Sequence, residues 1–265
     1  MASFTDKKLS SVYKDILHTD NSNTGISTSE KQITCGDGDI TALYLSNQSL
    51  KIQPRLDSTT SFLSMDAYGN RLVRVDSTND LVKVGIGQHI ANTQYANFTV
   101  GHTESAGFVI NTHHTICFQG ANYSVTGAGI PSFGTSTDPA TTFTTAEGNG
   151  TRGSELVPVM WLVPDNITID AVYSFEGADT ATGDTTRMHL FSYTFASGST
   201  SALTSGTLLA HNSDVTNAGS EQVYKSTWTV DSADVDANKV ILAFFRSDSI
   251  NSDYGINIRV KYHLR

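Results

Sequence analysis

Between Ile33 and Gly85 the apolar residues arrive in twos and threes: Leu43 and Leu45, Leu50 and Ile52, Phe62 to Met65, Leu72 to Val75, and Leu81 to Val84. Polar turn formers separate them at Gly36-Asp37-Gly38-Asp39, Ser46-Asn47-Gln48, Asp57-Ser58-Thr59, Tyr68-Gly69-Asn70 and Asp76-Ser77-Thr78-Asn79-Asp80. That punctuation predicts a ladder of short β-strands. Within 69–85 a period of two puts Val73, Val75, Val82 and Val84 on one face and a mixed set, Leu72, Arg74, Leu81 and Lys83, on the other. A ribbon with one thin apolar face is marginal alone in water. The four valines are therefore expected to form a trimer core, with three copies meeting about a common axis. The competing expectation is that the ribbon packs on the downstream part of its own chain.

Upstream, Leu9, Val12, Tyr13, Ile16 and Leu17 fall at helical spacing, with Thr5 or Asp6 as N-cap. A helix of about three turns is marginal in isolation, so its stripe is expected to dock and anchor the chain. Downstream of a polar strip at 87–93, the strand candidates lengthen: 107–110, 115–118, 156–163, 167–175, 186–195, 222–230, 240–246 and 254–264. In the last of these, Ile256, Ile258, Val260, Tyr262 and Leu264 alternate with Asn257, Arg259, Lys261 and His263, one side apolar and the other polar. Val240 to Phe245 is apolar on both sides, the mark of a central, covered strand. About eight strands with long connections predict a jelly-roll-like β-sandwich. The whole is all-β, in three parts: 1–30 an anchoring segment with a short helix, 31–94 a β-ribbon stalk, and 95–265 the sandwich.

Composition agrees. Ser and Thr number 64 of the 265 residues; Thr fits a pleated surface and Ser closes turns. The net charge of −9 comes without a basic face to neutralise phosphates, which argues against nucleic acid as the main partner. No run approaches the roughly 20 apolar residues of a spanning helix, which argues against membrane insertion, and residues 1–30 lack the apolar stretch of a secretory signal. Cys35 and Cys117 read as a reduced pair of small apolar residues.

Candidate chemistry is thin. His113 and His114 are strand neighbours that point to opposite faces and cannot chelate one metal from one chain. Asp20 to Gly25 opens like a calcium loop, but Lys31 occupies the twelfth position, where a bidentate Glu belongs. Asp37 with Asp39, and Asp231 with Asp234 and Asp236, read first as hydrophilic turns. Glu176, Asp179 and Asp184, beside Arg187 and His189, read as a solvated hairpin loop rather than a paired acid and base. Trp161 and Trp228 look structural. No catalytic, cofactor or metal residue is assigned. The long connections 131–153 and 197–221, with the turn 176–185, are the expected recognition loops, and Phe133, Phe143, Arg152 and Arg187 are the binding candidates on them.

An N-terminal docking helix, a thin ribbon stalk and a sandwich head together resemble virion proteins of tailed bacteriophages, especially fibre-like and decoration-like proteins of marine phages. The resemblance rests on VYKDILHTDNSNTGI at 12–26, ITALYLSNQSLKIQP at 40–54, GNRLVRVDSTNDLVKVG at 69–85 and IPSFGTSTDPATTFTTAEGNGTR at 130–152. It covers most of the chain and is architectural rather than catalytic. It implies a non-enzymatic homotrimer on the virion, assembled in the host cytoplasm as a short fibre, spike or capsid decoration. Its partners would be other virion proteins through the N-terminal segment and a host-surface glycan or protein through the head. A carbohydrate-binding adhesin is the alternative, and a polysaccharide-degrading tailspike ranks below it.

Overall fold

The computed structural model describes residues 17–19, 25–36, 38–103, 109–120, 131–144, 153–179, 181–200, 202–249 and 253–265. The chain divides into an N-terminal unit, Met1–Ala91, and a C-terminal unit, Asn92–Arg265.

The N-terminal unit holds two four-stranded antiparallel sheets, each a meander in sequence order. The first contains β1 (Leu17–Thr19), β2 (Lys31–Cys35), β3 (Ile40–Leu45) and β4 (Leu50–Ile52). The second contains β5 (Phe62–Met65), β6 (Arg71–Asp76), β7 (Leu81–Val84) and β8 (His89–Ile90). The expected hairpin is present: Val73 lies opposite Val84 and Val75 opposite Val82, so the four valines share one face. Asp76 closes the hairpin by accepting hydrogen bonds from the backbone N–H and the side-chain amide of Asn79. Asp80 takes the left-handed conformation of the turn at φ 54°. Leu17 is a correction. It belongs to the edge strand β1, opposite Cys35, because its backbone completes the ladder of β2. The other helix candidates, Leu9, Val12, Tyr13 and Ile16, lie outside the described residues.

The C-terminal unit is a two-sheet sandwich. Its strands are β9 (Thr93–Thr103), β10 (His114–Ile116), β11 (Trp161–Val163), β12 (Ile167–Asp179), β13 (Thr185–Phe195), β14 (Leu203–His211), β15 (Val215–Thr216), β16 (Glu221–Thr227), β17 (Thr229–Val230), β18 (Asp234–Val235), β19 (Lys239–Ser247) and β20 (Asp253–Leu264). A five-stranded sheet runs β16-β12-β20-β9 with β18 beside β12, and a seven-stranded sheet runs β10-β19-β13-β14-β17 with β11 and β15 attached. The long strands pass back and forth between the sheets in the order of a jelly roll. One core fills the space between them, built from Phe98, Ile116, Val172, Leu190, Ile241, Phe245, Ile258 and Val260 among others.

A second core lies on the other side of the seven-stranded sheet. Phe191, Tyr193, Leu203, Val240, Leu242 and Phe244 face it, and the segment 131–144 covers it together with α1 (Gly153–Leu156) and the 3-10 turn Val157–Val159. Strand β19 therefore buries Val240, Leu242 and Phe244 on one side and Ile241, Ala243 and Phe245 on the other, as its continuous apolar run requires.

That second core corrects two site assignments. Phe133 is 1% exposed and Phe143 6%, with rings stacked at 4.5 Å, and Phe133 tilts onto Phe244 at 4.7 Å. Neither is open to a ligand. Their Pro-, Gly- and Thr-rich surroundings suggest a solvated loop, but two phenylalanines ten positions apart nail that loop to the sheet. The segment 197–221, expected to be a connection, contains β14 and β15. Its periodicity is hidden by irregularities in the pairing of β13 with β14 around Phe191 and Thr194. Residues 156–163 are not one strand: the Val157–Val159 turn interrupts them. Val109 and Ile110, assigned to a strand, stand exposed ahead of the turn at Asn111.

Gly206 shows how closely the cover approaches the sheet. A Cβ there would sit 2.7 Å from Tyr193 Cε1 and 2.8 Å from Thr141 Cα, while Gly206 N–H donates to Thr141 O at 2.9 Å. Gly206→Ala is expected to cost about 1–3 kcal/mol by overpacking. Gly255→Ala, where the new methyl meets nothing within 4 Å, should cost far less. Thermal unfolding of the two variants checks this; equal midpoints would remove the close approach as the reason for glycine.

Candidate functional site

Apolar side chains that the N-terminal unit leaves in water form the first candidate surface. On the face of the second sheet that carries the valines, Phe62 is 39% exposed, Val82 42% and Val84 39%, with Val73 and Val75 half-buried beside them. The cross-strand pairs Phe62–Val75, Val75–Val82 and Val73–Val84 make this a continuous apolar strip. In the first sheet Leu43 and Leu45 pair with Ile52 and Leu50, and the latter two are exposed. Among the described residues of this unit, Ile33 alone is a buried apolar side chain.

The outer face of the seven-stranded sheet carries the second candidate. Past the edge of the second core, Arg187 lies opposite Arg246, and His189 opposite both Phe244 and His211. Arg187, a sequence-predicted binding residue, is committed to Asp214 through Nε. Arg246 donates to Asn111 O at 3.1 Å and Oδ1 at 3.0 Å. His113 is fully buried, its Nε2 2.9 Å from Ser136 O, and its ring meets His189 edge-on at 5.0 Å. His189 Nε2 lies 3.3 Å from Asp138. Burial, then the neighbouring His113 and Arg187, hold the His189 pKa down to about 3, so the ring is neutral. His211 Nδ1 contacts Asp231 at 2.8 Å. Each imidazole thus points to a different partner, and the rings do not converge. Arg152 lies outside the described residues.

His114 faces away from this row, as alternation requires: its Nε2 accepts the Val109 N–H at 3.0 Å, and burial lowers its pKa to about 4. Asp234 and Asp236 are engaged by Arg265. Among the described residues, no three His, Cys, Asp or Glu side chains stand together as ligands for a metal ion. Cys35 and Cys117 form no disulfide.

Glu176 and Asp179 are not brought to one place. Asp179 is on the outer, exposed face of β12, whereas Glu176 points inward and is 1% exposed. Thr186 Oγ1 donates to Glu176 Oε1 at 2.7 Å. Burial raises the Glu176 pKa to about 7, against the opposing pull of Thr186 and Asn217. What sequence reasoning missed is an exposed aromatic pair, Tyr173 and Phe175, on the outer face of β12. The alternation of Tyr173-Ser174-Phe175-Glu176 was the available signal.

Neither protein-family models nor curated proteins give any match to the chain.

Glu176 generates a pH prediction. Because its folded pKa is raised above the ordinary 4.5 to about 7, its full contribution to stability is present below pH 4.5 and is lost as pH rises through 7. Glu176→Gln keeps the shape and the Thr186 bond. It should leave the unfolding free energy nearly unchanged at pH 4.5 and raise it at pH 8.5, by roughly 2–3 kcal/mol. Urea unfolding at both pH values checks this; a gain independent of pH would refute the raised pKa.

Proposed function

We propose that this chain is a non-enzymatic structural protein of a tailed-phage virion. It assembles as a homotrimer whose N-terminal unit makes an intertwined β stalk and whose C-terminal sandwich makes the head. The observation that carries the reading is the contrast in burial between the two units. The C-terminal unit covers both faces of its central strand, while the N-terminal unit exposes Phe62, Val82 and Val84 on one face and Leu50 and Ile52 in the other sheet. Apolar strips of this kind are stable in water when identical strips cover them, and cyclic symmetry closes the arrangement without leaving a strip over. Residues 1–30 seat the trimer on other virion proteins, and the head projects from the particle as a short fibre, spike or capsid decoration.

Sedimentation of the full chain tests the trimer directly, with a mass three times 28.5 kDa expected. Val82→Lys with Val84→Lys should convert it to monomer, because six lysines would then converge on one axis. The unfolding midpoint of the C-terminal unit should not move. A wild-type monomer, or a double variant that keeps the trimer mass, would discard the reading.

A further inference from the structure

The outer face of the five-stranded sheet is a regular array. Alternation brings Val223, Lys225 and Thr227 of β16, Tyr173 and Phe175 of β12, Asn257, Arg259 and Lys261 of β20, and Tyr95, Asn97 and Thr99 of β9 to one side. The register is direct. Phe175 lies between Lys225 and Asn257, and Tyr173 between Thr227 and Arg259. Phe175 is 53% exposed and Tyr173 38%, and they line a shallow cleft of about 550 Å³ with Lys225, Asn257 and Arg259.

The polar members are set in place rather than loose. Arg259 Nε donates to Asn97 Oδ1 at 3.1 Å, and Asn257 Nδ2 donates to Thr99 Oγ1 at 3.3 Å. Among the described residues the carboxylates of this array stand at its ends: Asp179, opposite Glu221 and Asp253, at one, and Asp170, bonded to His263 Nδ1 at 2.9 Å, at the other. In a chain of net charge −9, this face carries Lys225, Arg259 and Lys261 among three exposed rings, Tyr173, Phe175 and, opposite Lys261, Tyr95.

We propose that this face binds an anionic polysaccharide. A pyranose ring has an apolar C–H face that lies flat on Tyr173 and Phe175, and its hydroxyls meet the amides and hydroxyls of Asn257, Asn97 and Thr227. Its carboxylate or sulfate meets Arg259, Lys225 and Lys261. Charge complementarity selects the occupant. A second copy docked symmetrically here would set three cations against three cations, which opposes self-association through this patch. The mixture of neutral amides and hydroxyls with few cations suits a sugar better than a phosphate backbone. The proposal does not rest on the trimer reading, since every residue belongs to the C-terminal unit.

Titration calorimetry of the full chain tests it, with polygalacturonate and chondroitin sulfate as anionic probes and dextran and oligo(dT) as comparators. Binding is expected to one or both anionic polysaccharides and to neither comparator. Tyr173→Ala with Phe175→Ala should weaken it at least about tenfold, the scale of an anchoring aromatic. Arg259→Ala should weaken it and flatten its salt dependence, while Lys239→Ala, elsewhere in the molecule, should not. The aromatic sites are exposed, so unchanged unfolding midpoints accompany a valid result; Lys225→Glu provides an independent test should the double variant unfold. The proposal is overturned by no binding to either anionic polymer, by equal binding to dextran, by preference for oligo(dT), by indifference to aromatic truncation, or by a change of oligomer mass in the Phe175→Ala protein.

Discussion

A β-strand has two faces, and each apolar one must be kept from water. The C-terminal unit meets this constraint twice over at β19, whose alternate residues enter two separate cores. The price is a polar segment, 131–144, forced into a close-packed role it could not hold without Phe133 and Phe143. Among its described residues the N-terminal unit meets the constraint hardly at all, Ile33 being the one buried apolar side chain. Its strands are three to six residues long except for the two-residue β8, its sheets are single layers in strand order, and the valine strip ends in solvent. The same physics thus yields a sandwich with two covered cores in one half and, in the other, apolar strips that the described residues leave in water.

How much of this was legible in the sequence depends on how locally each element is determined. The Val73–Val84 hairpin was legible because alternation and turn chemistry lie within one short stretch. Strand β20 and the doubly covered β19 were legible for the same reason. Strand β14 was not: in Leu203–His211 the small residues Ser205 and Gly206 and the irregular pairing with β13 break the period of two. Its identity as a strand is decided by its irregular pairing with β13, the strand just before it, rather than by a period of its own. Phe133 and Phe143 were misplaced because burial of a loop depends on what lies beneath it, and Tyr193 and Phe244 lie far along the chain. The exposed Tyr173 and Phe175 were overlooked for the converse reason. Aromatic residues in a long strand suggest core, and only the register with β16 and β20 shows which face is open.

The histidines on the seven-stranded sheet illustrate a polar cluster that is better understood as architecture. His113 Nε2 bonds to Ser136 O and His189 Nε2 lies 3.3 Å from Asp138, both on the covering segment, so the row meets that segment where the apolar core gives out. Burial between Arg187, Arg246 and aromatic rings keeps the His189 ring neutral across the physiological range. The His113 imidazole, bonded to Ser136 O, is a brace between the sheet and the covering segment. Chemistry would require a second group aimed at the same point, and Arg187, Arg246 and His211 are bonded to Asp214, Asn111 and Asp231 instead.

Charge separates the two proposed surfaces. The valine strip is uncharged, so burial of apolar area is the interaction it offers. The aromatic face gathers cations although the chain as a whole is acidic. At physiological ionic strength the field of a distant charge fades over about 8 Å, so a ligand at the cleft responds to Lys225, Arg259 and Lys261 far more than to the acidic remainder. The acidic remainder acts locally elsewhere: it disfavours close approach of a polyanion in any orientation that does not present this face. An acidic protein with one cationic aromatic face is therefore selective by exclusion as well as by contact, and that selectivity follows from strand register alone.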